Sequence, residues 1–193
     1  MGELSSDPRQ QAILDSAWKS FAAYGFRKTS MDDIARGAGI SRPALYLHYR
    51  NKEDIFRTLT QYFYDTAAAD VAAALARGAD IPATLAAAFA AQAGEIIEAM
   101  LTSPHGMELM DAGFATSADI VTEGEARLTA LYADWLGEQA AQGRVRLAGP
   151  AAQVAATMTS ALKGIKTTTT DFATYQQRAT QLAQLFGAGL AAA

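Results

Sequence analysis

The residues best equipped for chemistry lie together in "SRPALYLHYRNK", Ser41 to Lys52. That stretch holds Arg42, Arg50, Lys52, Tyr46, Tyr49 and His48 on a segment too short to build a core of its own. Guanidinium and ammonium groups bind phosphate, and a guanidinium can also bond a guanine edge at two points. Tyrosine and histidine add hydrogen bonds to phosphate or sugar. Competing chemistries find little support. The chain has no cysteine and only His48 and His105, which excludes disulfides, thiolate zinc sites and cysteine nucleophiles. No glycine-rich phosphate loop follows a strand. The carboxylate pairs Glu95/Glu98 and Glu123/Glu125 read as solvated helix faces. We therefore expect no enzyme activity, no cofactor and no metal.

The elements that position this stretch read as helices almost throughout. Ile13, Leu14, Ala17, Phe21 and Tyr24 recur at helical spacing, and Gly25 ends the run. Ser30 with Asp33 forms a short-armed capping box for a second helix carrying Met31, Ile34, Ala35 and Ala38, closed by Gly39. Ser41 caps a third, with Pro43 in its first turn. Asn51 caps a fourth, with Glu53 and Asp54 favourably placed in its first turn. Arg77 to Asp80 breaks that helix. Pro82 starts a fifth, with Leu85, Phe89, Ile96 and Met100 facing inward. Thr102 to Gly106 is a break, after which Pro104 opens a short sixth helix towards Met110. A long helix follows from about Asp119 to Gln142, Gly149-Pro150 stops it, and two more span about 151–169 and 174–190. No stretch approaches the run of apolar residues that crosses a membrane, and no signal peptide is evident. A cytoplasmic protein with no membrane partner is expected.

Met31–Ala38 and Arg42–His48, joined by a tight turn at Gly39, have the helix-turn-helix arrangement. Ile40 and Leu45 point back to anchor the pair. Arg42, Ala44, Tyr46 and His48 face outward, and Leu47 partly so. A recognition helix enters the major groove by its N-terminal residues. By pattern alone, an ordinary helical hairpin remains the alternative. The net charge of −4 argues against a polyanion partner, yet its distribution points the other way. Residues 1–60 sum to +2 and the remainder to −6, so only the front of the chain suits DNA.

The stretch "FAAYGFRKTSMDDIARGAGISRPALYLHYRNKEDIF" resembles the N-terminal domain of the tetracycline-repressor (TetR) family of bacterial transcriptional regulators. Phe21, Gly25, Thr29, Ile34, Ala35, Ala38, Gly39, Ser41, Leu45, Tyr46, His48, Tyr49, Asn51, Lys52 and Glu53 carry the resemblance. It implies an all-α chain of about nine helices in two parts. Residues 1–54 would be a three-helix DNA-binding domain, and residues 55–193 a helical ligand-binding and dimerisation domain. The implied function is a sequence-specific regulator: a homodimeric repressor on double-stranded DNA with a palindromic operator, released by a small-molecule effector. The alternative is a related activator, or a regulator triggered by a protein partner. Carried over residue by residue, Thr29 and Lys52 would contact phosphate. Arg42, Pro43 and Ala44 would lie nearest base edges, Tyr46 and His48 would contact phosphate or sugar, and Tyr49 would pack. Arg42 suits a guanine edge or a phosphate equally. Many relatives carry threonine at Ala44 and tyrosine at Leu47, so two polar groups are missing here. Ala44 can still touch a thymine methyl.

In the C-terminal part, Val154, Met158, Leu162 and Ile165 share one helical face. Leu182, Leu185 and Phe186 mark another on the last helix. The resemblance places a two-fold dimer interface on these two helices, a C₂ contact needing one self-complementary patch. The competing reading is plain intramolecular core. Pocket candidates are Phe89, Met100, Met110, Phe114, Trp135 and Met158, because methionine and aromatic residues line adaptable apolar cavities. They imply a fairly hydrophobic ligand touching Trp135 and Met110.

Overall fold

The computed structural model describes residues 7–78 and 80–191, with the side chain of Phe114 outside that description. Among the described residues the chain is all-α, with eight helices and a single isolated bridge between Val145 and Ala191. They are α1 (Pro8–Tyr24), α2 (Met31–Gly37), α3 (Arg42–Tyr46), α4 (Lys52–Ala76), α5 (Ile81–Thr102), α6 (Gly106–Ala141), α7 (Ala151–Thr168) and α8 (Phe172–Leu190).

The local signals act as expected at most ends. Asp7 accepts from the Arg9 amide to start α1. Gly25, at φ 84°, ends α1 with its N–H on the Phe21 carbonyl. Ser30 and Asp33 form the reciprocal box at α2. Ser41 accepts from Ala44 at α3, and Asn51 Oδ1 accepts from the Asp54 amide at 2.8 Å to start α4. Each cap satisfies a backbone donor that the helix itself leaves open.

Two helices are interrupted. Gly94 in α5 sits at φ 56° and ψ −173°, and Ser117 in α6 at φ −137° and ψ 28°. The two helices expected from Pro104 and Asp119 are thus one element broken at Ser117. The break frees backbone groups of the preceding turn. Arg57 Nη1 donates to the Thr116 carbonyl at 2.8 Å and its guanidinium grips both oxygens of Asp119, at 2.7 and 2.6 Å. The Gly94 break also changes which residue turns inward. Ile97 is buried at 4% exposure while Ile96 is half-buried, a one-residue correction to the face expected from unbroken periodicity.

The chain divides into two compact units. One takes the chain as far as Tyr64 and adds Glu95–Thr122, and the other joins Asp65–Gly94 to the chain from Glu123 onward. This packing division differs from a single cut after residue 54. The first unit's core combines Ile13, Leu14, Ala17 and Phe21 of α1, Ile34 and Ala35 of α2, Leu45 of α3 and Ile55, Phe56 and Leu59 of α4. Leu109 and Ala112 of α6 complete it, with Met100 packed against them. Phe21, Phe26 and Phe56 form a mutual aromatic trio with centroids 5.1–5.6 Å apart. A Cβ at Gly37 would collide with Ser16 Oγ, which donates to the Ile34 carbonyl at 2.8 Å, so α1 and α2 meet at backbone range.

The second unit is built on Phe89, whose ring packs on Tyr132 at 5.8 Å, with Leu85, Leu136, Met158, Leu162, Tyr175 and Ala183 buried in the same unit. The Tyr132 hydroxyl donates to Gln92 Oε1 at 2.9 Å, and burial pushes its phenol pKa up. Burial likewise pushes the Tyr175 phenol up to about 12. α5 is, by length and composition, long and apolar enough to cross a membrane, which corrects the expectation from sequence. Its apolarity has a packing role here: Leu85, Ala88 and Phe89 are fully buried.

The Arg57–Asp119 pair carries a pH signature. The guanidinium holds the Asp119 carboxyl at about 2, below its ordinary 3.8. A carboxyl depressed in the folded state stabilises fully above its unfolded pKa and loses that contribution as pH falls through the folded one. Urea unfolding between pH 4 and pH 2 should therefore show a smaller fall in stability for Asp119→Asn than for the unaltered chain. Parallel curves over that window would refute the assignment.

Candidate nucleic-acid interface

The presentation of α3 begins with what is buried beneath it. Leu45 has no exposed surface and Tyr49 only 6%. Tyr49 is the packing residue expected of it, and its hydroxyl accepts from Gln10 Nε2 at 3.0 Å. With that side of the helix fixed, Arg42, Pro43, Tyr46, Leu47 and His48 lie on the surface, while Ala44 is half-buried. Leu47 is more exposed than expected, at 85%. The outer face of α3 is thus a short apolar and aromatic strip, edged by a guanidinium and an imidazole.

Arg42 does not hang free. Its Nη1 lies 3.2 Å from Asp32 Oδ2 on α2, its Nη2 donates to the Tyr46 hydroxyl at 3.4 Å, and its Cζ stands 5.6 Å from the Tyr46 ring centroid. The Tyr46 hydroxyl and the Asp32 charge together hold the guanidinium pKa above its ordinary value.

Two expected phosphate contacts need correction. Thr29 is only 2% exposed, and its hydroxyl donates to the Gly25 carbonyl at 2.8 Å and the Ser20 carbonyl at 3.1 Å. It closes the loop after α1 and offers nothing to a phosphate. Lys52 Nζ donates to the carbonyls of Phe26, Arg27 and Thr29 at 2.7, 3.1 and 3.0 Å and sits 4.7 Å from the centroid of the Phe26 ring. An ammonium has three N–H donors, and three carbonyls occupy them. Glu108 Oε1 accepts from the Arg27 amide of the same loop at 2.8 Å. That bond, more than any other contact, holds the Glu108 carboxyl below its usual range. His105 Nδ1 lies 3.5 Å from the other Glu108 oxygen.

Sequence reasoning passed over three exposed charged residues of the first unit. Arg27 and Lys28 are exposed basic side chains on the loop between α1 and α2. The basic pair within "GFRKTS" was the available signal. Asp32 enters the sequence analysis only through the charge balance of residues 1–60, and its contact with Arg42, ten residues away, has no sequence signature.

The expected pocket and interface residues are scattered. Phe89 and Met158 have no exposed surface and belong to the packed core of the second unit. Met100 and Met110 are half-buried in the first unit, and Phe114 lies outside the described side chains. Of the five whose side chains are described, Trp135 alone lines a groove of about 720 Å³ in the second unit, beside Leu75, Ile81, Leu131, Asp134, Glu138 and Arg144. That lining is more polar and more acidic than a fairly hydrophobic ligand requires. Of the expected dimer residues, Met158 and Leu162 are buried in the subunit's own core, at 0% and 2% exposure, and cannot also cover a partner. Val154, Ile165, Leu182 and Phe186 are half-buried, and Leu185 is 66% exposed.

Residues 13–59 match the family model described as bacterial regulatory proteins, tetR family. The HTH-type transcriptional regulator EthR of Mycolicibacterium smegmatis is 32% identical over 133 residues, covering 61% of this chain and 61% of that protein. The HTH-type negative transcriptional regulator IcaR of the biofilm operon icaADBC of Staphylococcus epidermidis is 39% identical over 57 residues, covering 28% of this chain and 31% of its own. The match therefore spans less than two thirds of either relative. Among solved structures, a transcriptional regulator from Cytophaga hutchinsonii superposes with a TM-score of 0.80 at 18% identity, covering 96% of this chain and all of that one. At that identity the likeness concerns the fold.

If Lys52 is a clasp and not a phosphate ligand, Lys52→Met should lower unfolding stability by about 1–3 kcal/mol, because buried or half-buried carbonyls lose their donor. Urea denaturation measures this directly. Unchanged stability with a large loss of DNA affinity would restore the phosphate role.

Proposed function

From a chain whose N-terminal domain belongs to the tetR family of bacterial regulatory proteins, we propose a sequence-specific DNA-binding transcriptional regulator acting in the cytoplasm. The observation that carries this reading is the outer face of α3, where Arg42, Pro43, Tyr46, Leu47 and His48 are exposed above a buried Leu45 and Tyr49. Residues 1–54 would serve as the reading head and residues 55–193 as the ligand-binding and dimerisation part. Arg42 and Pro43 would meet base edges, with Ala44 and Leu47 offering apolar contact to thymine methyl groups. Tyr46 and His48, joined by Arg27 and Lys28, would meet phosphate or sugar.

The protein would act as a homodimer on a palindromic operator, with its two heads about 34–36 Å apart to enter successive major grooves. Leu185 with the half-buried Leu182, Phe186, Val154 and Ile165 supports a partner face on α7 and α8. Repression is the favoured sign, and the name of the IcaR relative supports it. A small molecule would release DNA by binding better to a conformation with another head separation, and linkage then makes operator weaken ligand by the same factor. The groove beside Trp135 supports a place for that effector. α4 runs without interruption from one compact unit into the other, which suits it to carry the change.

Selection of the purified protein against a random DNA pool tests the central reading. A palindrome with half-sites one helical turn apart is the expected product. Enrichment of no sequence above salt-sensitive, non-specific binding would sink it. Independently, Leu185→Glu should shift the protein towards monomer in sedimentation velocity, with its helical content unchanged. A dimer that survives the substitution would move the interface elsewhere.

A further inference from the structure

Asp32 stands on the same surface as Arg42, and a carboxylate facing a polyanion opposes binding unless it does something else. Its position tells what that is. It lies on α2, one residue before the capping Asp33, and its Oδ2 is 3.2 Å from Arg42 Nη1. The Tyr46 hydroxyl takes a second Arg42 N–H at 3.4 Å, and the Tyr46 ring lies under the guanidinium at 5.6 Å. Two elements thus restrain one long side chain from two directions. Arginine has five N–H donors, so these two bonds leave three for a ligand.

We propose that Asp32 is a positioning residue for base recognition, with Tyr46 as its partner: together they hold the Arg42 guanidinium ready for a guanine edge. The proposal rests on the DNA-reading function above and deepens it. It also resolves the choice left open between base and phosphate for Arg42. A free arginine would bond whatever phosphate or acceptor came near. An arginine already tied to a carboxylate gives up less freedom when it meets a correctly placed pair of acceptors. Where the base offers none, Asp32 faces the DNA with its charge uncompensated by any new bond, and the wrong sequence is penalised. The carboxylate therefore costs affinity everywhere and returns discrimination at one base pair in each half-site. Phosphate-binding residues do the reverse, since they raise affinity for all sequences alike.

The test compares the full-length protein with Asp32→Asn, Arg42→Ala and the double variant. Each is taken through the same random-pool selection, then through competition binding on the enriched operator. Asp32 is half-exposed and lies outside the Ser30–Asp33 box, so thermal melting should change little. The expected result is that Asp32→Asn flattens the base preference at one pair per half-site, by about tenfold on the scale of a lost two-point contact. Arg42→Ala should flatten that same pair, and the double variant should add nothing. Asp32→Asn should also bind non-specific DNA more tightly than the unaltered protein does. A preference profile unchanged by Asp32→Asn, or changed at a pair that Arg42→Ala leaves alone, overturns the proposal while the DNA-reading function stands. No enriched sequence for the unaltered protein overturns both.

Discussion

The ammonium of Lys52 is the contact on which the proposed reading surface depends. It collects the carbonyls of Phe26, Arg27 and Thr29 at the first residue of α4. Those carbonyls belong to the loop that turns the chain out of α1 and into α2, and a loop of that kind has no ladder of its own in which to satisfy them. Thr29 closes the same loop from within, and Glu108 takes the Arg27 amide. The loop is thereby held by protein partners at the Arg27 amide, the Thr29 hydroxyl and three of its carbonyls. α2 starts from a fixed point, and α3 follows it across a turn at Gly39, whose φ of 69° suits glycine.

The cost of that arrangement falls on chemistry. A lysine and a threonine that could each grip phosphate are spent on the frame, and the surface must find its cations elsewhere. Arg27 and Lys28 are exposed on the clamped loop, so one set of bonds engages the Lys52 ammonium while two other basic side chains stay exposed. On α3 the balance tilts further from charge. Ala44 and Leu47 are apolar, Arg42 is restrained by Asp32, and His48 remains exposed. Under the proposed function, such a surface would gain less from the phosphate backbone and depend more on fit to base edges.

Much of this was legible beforehand because it is local. Ser30, Ser41 and Asn51 cap helices through their own side chains, and Gly25 and Gly39 take backbone angles that favour glycine, so a reader of the chain meets cause and effect within a few residues. The buried Leu45 and Tyr49 follow from helical spacing. The parts that escaped are those set by distant partners. Lys52 meets carbonyls 23 to 26 residues earlier, and Arg42 meets a carboxylate ten residues back. Met158 and Leu162 lie on an apolar face as expected, yet spacing alone does not say whether that face meets its own subunit or a second one. Gly94 shifts the inward residue from Ile96 to Ile97 through a backbone break that hydropathy does not register. The resemblance to a known family supplied the role of the first 60 residues, but it assigned Thr29 and Lys52 to phosphate where this chain uses them to hold itself together.

The first compact unit is not continuous in sequence, and that bears on how the protein comes into being. Phe21, Phe26 and Phe56 share one core with Met100, Leu109 and Ala112, residues made only after the whole of α4 and nearly all of α5 have been synthesised. Contacts across such separations form late, because the intervening chain must be gathered before they return anything. During synthesis the aromatic trio would stand open until about residue 122 has left the ribosome, and the segment ending near residue 60 would be a sticky, half-built domain in the interval. Residues 65–94 form a long excursion that must be looped out meanwhile. The proposed reading head is therefore among the first parts translated, yet its core closes only after α5 and the start of α6 exist.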